Sequence, residues 1–385
     1  MGNIHWLGAG LSSVPGIRRL IENGRPVTLW NRTVEKAEAA TAGLSGNFSV
    51  KAFSLDALSA DVTAGDVVIS MLPATMHLQV AELCLQKDAH FVSSSYISPE
   101  MAALDAKAKA SELCFVNEVG LDPGLDHLMA HLLMADYRAS DVFDPTNSHD
   151  FRSYCGGFPA KANDFRYKFS WSPLGVLKAL KSPAKAILGG EEVTTQKPWD
   201  AISDFTVGLP SGAETFQSYP NRDSLPFMDH YGFESDWSVN TFVRGTLRLN
   251  GWSDAWSGIF KFVEEEADGP DGEAKLAALS DQLWTDHAYD DGEPDRVVLV
   301  VDLKASKDGT VVWHKDYVLD AKGGADFSAM ARLVSIPVSL AVEAVLDGEL
   351  PKGVQAAPSS PTIIHRWFEA LQAQGDEFHL TEHVA

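Results

Sequence analysis

Short, fully apolar runs recur along the first part of the chain, and amphipathic stretches with helical spacing separate them. NIHWLGAG closes on glycines at Gly8 and Gly10, and SSVPGIRRLIENG follows with helical periodicity before stopping at Gly24, a residue type that ends helices without steric cost. PVTLWN, GDVVISMLP, AHFVSSS and ELCFVN are the other apolar runs. Helices are predicted over VEKAEAATAG, MHLQVAELCLQK and SPEMAALDAKAKAS, the last with Ser98 at its N-cap. Strands apolar on both faces, alternating with helices, predict βαβ units and a parallel sheet of the α/β class.

From about Ser148 the pattern changes. RSYCGGFPAKANDFRYKFSWSPLGVLKAL mixes short strands, a glycine-proline loop and a helix, while FVRGTLRLNGW and RVVLVVDLKASKDGTVVWHKDYVLD read as strands. The latter predicts a hairpin turning at Lys307-Asp308-Gly309. This is a second, α+β domain with a mixed or antiparallel sheet. FSAMARLVSIPVSLAVEAVLDG is a helical pattern interrupted by Pro337. The expected division is a parallel-sheet domain over 1–125, completed by about 325–385, and an α+β domain over 126–324 with a short, acidic helical insert at about 253–295.

Size and composition narrow the function. With 385 residues, 45% hydrophobic and 22% charged, the chain can bury two cores. A net charge of −22 repels nucleic acid and anionic membrane surfaces, and no apolar run reaches the roughly 18 residues of a membrane span. Neither partner is expected. Three cysteines, Cys84, Cys114 and Cys155, make no disulfide framework and fit a reducing, cytoplasmic setting. An anionic small molecule would have to be held by local arginines against that overall field.

The first strand-to-helix turn, Gly8-Ala9-Gly10-Leu11-Ser12-Ser13, supplies two glycines of the dinucleotide fingerprint, with Ser13 in place of the third. At the end of the second strand an NAD site usually places an acid. Here stand Asn31, Arg32 and Thr33, and a guanidinium suits a 2′-phosphate. NADP(H) is favoured and NAD(H) is possible. Leu72 and Pro73, then Ser94, Ser95 and Tyr96, end further strands. In an open parallel sheet such ends face the ligand crevice.

LDPG faces the same crevice. Pro123 can open a helix with Asp122 as N-cap, and a carboxylate there can also accept a proton or hold an ammonium group. His127 and His131 stand four apart, but the glutamate of a metal-binding helix is missing and no third ligand offers itself. Packing histidines are expected, and no metal. Glu118 stays undecided. Arg222, Arg244 and Arg248 stand in turn-like settings as candidate clamps for carboxylates.

SSSYISP, NEVGLDPGLDH, SYCGGFPA, YKFSWSPLGVL, YPNRDS and VRGTLR occur in one order, and a chain carrying them resembles the saccharopine dehydrogenases, also called saccharopine reductases (glutamate-forming). The resemblance implies a Rossmann domain completed by C-terminal segments, an α+β domain that makes the substrate face, and a homodimer. It implies oxidation of the CH–NH bond of saccharopine to L-glutamate and 2-aminoadipate 6-semialdehyde, or the reverse, in lysine metabolism. It places cofactor contacts on Gly8 to Ser12, Asn31, Arg32, Thr33, Leu72, Pro73, Ser94, Ser95, Leu121, Asp122 and Pro123. Substrate contacts fall on Ser95, Tyr96, Asp122, Arg222, Thr246, Leu247 and Arg248. Asp122, Tyr96 and Cys155 are the titratable candidates for proton transfer. Two other readings keep the fold: a carboxyspermidine-type dehydrogenase of polyamine synthesis, and a non-catalytic NADP(H)-binding protein.

Overall fold

A computed structural model of the chain describes residues 2–384. Two compact units emerge, Met1–Leu128 with Ala331–Leu371, and Met129–Met330 with Gln372–Ala385. The first holds strands β1 (Ile4–Leu7), β2 (Val27–Asn31), β3 (Phe48–Ala52), β4 (Val67–Ser70), β5 (His90–Val92) and β6 (Cys114–Val116). They form a seven-stranded sheet with Gly353–Gln355, in the order Gly353–Gln355, β6, β5, β4, β1, β2, β3. Every pairing is parallel. Chain order runs outward in both directions from β1 and β4, so the crevice for a ligand lies at their carboxyl ends. β1 and β4 are buried at every position, in keeping with their continuous apolar runs.

Three elements escape the apolar pattern. β3 is an edge strand with no fully buried residue, so its sequence carries no apolar run. The helix Leu55–Asp61 is short and buries only Leu58. The single helix expected over SPEMAALDAKAKAS is two, Pro99–Ala102 and Asp105–Ala110; Ser98 does cap the first by accepting from Met101 N–H at 3.1 Å.

The fingerprint's third glycine, replaced by Ser13, has its packing role taken three residues later. A Cβ on Gly16 would stand 2.2 Å from Ser335 O and 2.8 Å from Trp6 of β1, and Gly16 N–H donates to Ser335 Oγ at 2.9 Å. The helix Val14–Glu22 therefore lies against β1 and the helix Ala329–Leu346 with no room for a methyl group. Ala329–Leu346 is apolar and long enough to cross a membrane, with a mean hydropathy of 1.7, yet 72% of it is buried inside the protein. Its Pro337 is accommodated within the helix.

The second unit is built on β7 (Ser148–Pro159), β8 (Ala184–Leu188), β9 (Glu191–Thr195), β10 (Ser203–Leu209), β11 (Gly212–Pro220), β12 (Ser238–Arg248), β13 (Asp295–Lys307) and β14 (Thr310–Lys322). The nine-stranded sheet runs β10, β11, β12, β7, β13, β14, Phe378–Glu382, with the β8–β9 hairpin attached to β12. β12 and β7 are parallel and the remaining pairs antiparallel. Asp308 and Gly309 turn the β13–β14 hairpin with φ of 50° and 80°, which matches the twist of the strands they join. Pairing of Phe378–Glu382 with β14 places the chain from Gln372 onward in this unit, rather than in the nucleotide-type domain expected to hold it. The stretch 253–295 folds as three helices, with Trp252–Ala255 leading into Ser257–Glu266 and Gly272–His287.

Gly16→Ala should lower stability by roughly 1–3 kcal/mol, the usual cost of overpacking. The check is a urea titration read at the first unit's buried tryptophans, in which the midpoint falls while the slope holds.

Candidate active site

The turn after β1 is held by the end of β2, through Gly8 N–H donating to Trp30 O at 2.8 Å and through one side-chain amide. Asn31 Oδ1 accepts Ala9 N–H at 3.1 Å while its Nδ2 donates to Thr33 O at 2.7 Å. Asn31 therefore ties two of the expected cofactor-binding turns together, and its side chain serves the protein. A dinucleotide fits what surrounds it. A Cβ at Gly10 would meet nothing within 4 Å, and Leu11 is 56% exposed. The helix Val14–Glu22 has no side-chain cap and no acid in its first turn, so no side chain of its own first turn takes up its amides and positive dipole end. Arg32 and Thr33 are exposed, and Arg32 has no carboxylate partner among the described residues. Leu72 and Pro73 follow the end of β4, half-buried and exposed respectively.

At the ends of β5 and β6 the structure joins residues that the sequence leaves apart. Tyr96 Oη donates to Asp122 Oδ1 at 3.0 Å, both half-buried. The loop around Asp122 closes on itself: Gly120 N–H donates to Pro123 O at 2.9 Å, and a Cβ on Gly124, at φ +147°, would lie 2.1 Å from Gly120 O. The two glycines thus frame Leu121-Asp122-Pro123 because the chain crosses itself there. The helix begins at Leu125, so Pro123 does not open it and Asp122 is not its cap. Asp126 Oδ1 accepts Gly124 N–H instead, at 2.7 Å. Leu121 and Pro123 are buried.

Glu118 acquires a role. At 5% exposure and φ +57°, its Oε1 accepts Ile97 N–H at 2.8 Å and its Oε2 lies 3.0 Å from His127 Nε2. His127 is committed to this carboxylate and lies 3.5 Å from Asp126. His131 packs its ring against His230 and Tyr231, with centroids 5.0 and 5.7 Å away. Among the described residues no cluster of three metal-ligating side chains forms.

Beneath Ser95 lies a further buried group that sequence reading passed over. His77 is 7% exposed. Its Nδ1 stands 2.8 Å from Ser70 Oγ and its Nε2 2.8 Å from Ser95 Oγ. Burial penalises the imidazolium and lowers the pKa from 6.5 to about 4. Ser94 keeps its hydroxyl on Met71 Sδ at 3.7 Å.

In the second unit, alternation along β12 puts Arg244, Thr246 and Arg248 on one face and Val243 and Leu247 on the other. Leu247 is a core residue at 0% exposure and offers only its main chain. Cys155 on β7 and Tyr219 on β11 are both register partners of Thr246 and share its face. Arg248 is 8% exposed. Its guanidinium carbon lies 5.0, 5.3 and 5.6 Å from the rings of Tyr167, Trp252 and Tyr219. Its polar partner is Leu247 O, at 3.3 Å. Among the described residues it has no carboxylate partner, and neither its Nε nor the indole N–H of Trp252 has a hydrogen-bond partner. Arg244 stacks over Phe227 at 4.0 Å. Arg222 is exposed in the turn after β11 with φ +60°, a strained backbone that clusters at functional sites.

The sequence nominated Arg248 but not the aromatic walls around it, nor Glu118 and His77. Tyr167 and Trp252 stand in YKFSW and NGW, stretches whose spacing carries no sign that they meet Arg248.

Known proteins resemble this chain over nearly all its length. The family description "Saccharopine dehydrogenase NADP binding domain" matches residues 4–116, and "Saccharopine dehydrogenase C-terminal domain" matches residues 120–376. Saccharopine dehydrogenase [NADP(+), L-glutamate-forming] from Pyricularia oryzae is 30% identical, the alignment covering 93% of each chain. The Saccharomyces cerevisiae protein of the same name is 30% identical over 94% of each. Mitochondrial alpha-aminoadipic semialdehyde synthase from Bos taurus is 28% identical over 96% of this chain, which spans 46% of that longer protein. Among solved structures, apo saccharopine dehydrogenase (L-Glu forming) from S. cerevisiae superposes with a TM-score of 0.80 at 26% identity, covering both chains fully.

His77 supplies a pH test. Its folded pKa lies below 6.5, so its contribution to stability is intact above pH 6.5 and is lost as pH falls toward 4, by roughly 3 kcal/mol in all. Urea midpoints measured at steps from pH 7 to pH 4 should fall less steeply for His77→Asn than for the wild type.

Proposed function

The chain belongs to the saccharopine dehydrogenase family, and on that premise we propose that it is an NADP(H)-dependent oxidoreductase interconverting saccharopine with L-glutamate and 2-aminoadipate 6-semialdehyde in lysine metabolism. The observation that carries the substrate class is Arg248, only 8% exposed and with no carboxylate partner among the described residues. A buried charge without a counter-ion is costly, and cation–π contact offsets only part of that cost. A ligand carboxylate, gripped bidentately, completes it. Arg222 and Arg244 supply further positive charge for the other carboxylates. The polyamine alternative calls for acids where these arginines stand, and a nucleotide-binding protein without turnover has no use for them.

NADP(H), when bound, takes up or delivers the hydride. The Gly8–Ser12 turn and the amide end of Val14–Glu22 hold its pyrophosphate, and Arg32 with Thr33 holds the 2′-phosphate. Leu72, Pro73, Ser94, Ser95 and the Leu121–Pro123 loop line its path. Asp122 receives the proton of the secondary amine, and the Tyr96 hydroxyl, already donating to Asp122 at 3.0 Å, steadies the carboxylate and its proton. Thr246 and the Leu247 main chain position the substrate. Cys155, half-buried beside Thr246, is a contact on the same face and a further proton carrier. A cytosolic homodimer belongs to the proposal, supported by family resemblance and by three cysteines that stay free thiols.

Turnover of saccharopine with NADP+ outpacing NAD+, followed by absorbance of the reduced nicotinamide, is the expected result; no turnover with either nucleotide refutes the assignment. Arg248→Gln should raise KM for saccharopine roughly ten- to hundredfold, the worth of a charge-assisted pair, and Arg222→Ala should raise KM more than it lowers kcat. Arg32→Ala should raise KM for NADPH about tenfold and leave KM for NADH near its starting value.

A further inference from the structure

Ser70, His77 and Ser95 form one chain of hydrogen-bonding groups, with both links at 2.8 Å. Ser70 is 0% exposed at the end of β4, and its hydroxyl has His77 Nδ1 as its hydrogen-bond partner. A neutral imidazole carries one N–H donor and one bare nitrogen acceptor. Two orders are therefore open, and they differ in what Ser95 shows to the crevice. If Nδ1 carried the proton, the Ser70 hydroxyl would accept it, and the Ser70 O–H would then be a buried donor with nowhere to go. Such an orphan costs more than the hydrogen bond it replaces. In the other order Ser70 O–H donates to Nδ1, Nε2–H donates to Ser95 Oγ, and every buried donor is satisfied.

We propose that His77 is a positioning residue, held by Ser70 as the Nε2–H tautomer and donating to one lone pair of Ser95 Oγ, so that the Ser95 hydroxyl proton is not spent on His77 and is presented to the crevice. Ser95 then has its one O–H donor free for an oxygen acceptor on the bound substrate or nicotinamide. This rests on the reading that Ser95 lines the ligand path. The chain does not carry protons away from the reaction: Ser70 is its buried end, and a proton passed inward would have no exit. Burial keeps the imidazole neutral through the working pH range, which preserves the donor-to-acceptor order.

The tautomer is read directly by NMR of the full chain labelled with 15N-histidine and loaded with NADP+. The expected spectrum shows His77 with a protonated ε nitrogen and a bare δ nitrogen from pH 8 down to pH 5.5. A protonated δ nitrogen, or an imidazolium at pH 7, overturns the proposal. Kinetics supply the second arm through His77→Asn, Ser95→Ala and the double variant. His77→Asn alone should lower kcat/KM for saccharopine roughly three- to tenfold, the worth of one neutral hydrogen bond, and should cost nothing further once Ser95 is alanine. His77→Gln should recover part of the loss, because its amide N–H stands in for Nε2–H. Losses that multiply in the double variant sink the idea. Failure of the saccharopine reading is separable: the wild-type chain would then show no turnover, whereas the tautomer, and the NADPH dissociation constants of the five proteins by fluorescence, need none.

Discussion

One buried carboxylate joins the segments that carry Tyr96 and Asp122. Glu118 takes the Ile97 N–H on one oxygen and faces His127 with the other, at 5% exposure. The segment after β5 carries Tyr96, and the loop before the helix Leu125–Ala139 carries Asp122. Glu118 fastens the first of these to the second. In a low-dielectric interior each of its hydrogen bonds is strong, and losing one releases the segment that bond holds. The 3.0 Å contact between Tyr96 and Asp122 follows from that fastening. Its own backbone, at φ +57°, is held in a left-handed conformation to reach both partners.

On the proposed reading, recognition of anions is local, against a net charge of −22. Screening confines distant charges to about a Debye length, roughly 8 Å at physiological salt, so the overall acidity governs encounter more than grip. The proposed grip falls at positions where a positive group has no carboxylate partner among the described residues. Arg32 stands exposed at the rim of a parallel sheet, beside the uncapped end of Val14–Glu22. Arg248 stands among Tyr167, Tyr219 and Trp252, where low polarity raises the value of any carboxylate that reaches it.

How much of this could be read along the chain differs by residue. Ile4–Leu7 and Val67–Ser70 announced themselves, because a strand buried on both faces needs an unbroken apolar run. Ser98 announced its cap by lying one residue before a helical pattern. β3 did not, since an exposed edge strand needs no such run. Glu118 and His77 did not either: a lone acid or histidine has no periodicity, and each is meaningful only through partners brought beside it by the sheet. Asp122 was found for its place at a strand end, though the cap expected of it belongs to a different local geometry.

By itself, the order of apolar and polar residues settled the parallel and mixed sheets, the turns that end the strands of the first, and the charge types standing there. These are local matters, since periodicity reports the burial of each face of a single element. Tertiary structure alone decided which side chains touch: His77 under Ser95, Glu118 against His127, Gly16 against Ser335 from 319 positions away. Such contacts arise from strand order and register, and topology rather than neighbouring sequence sets those.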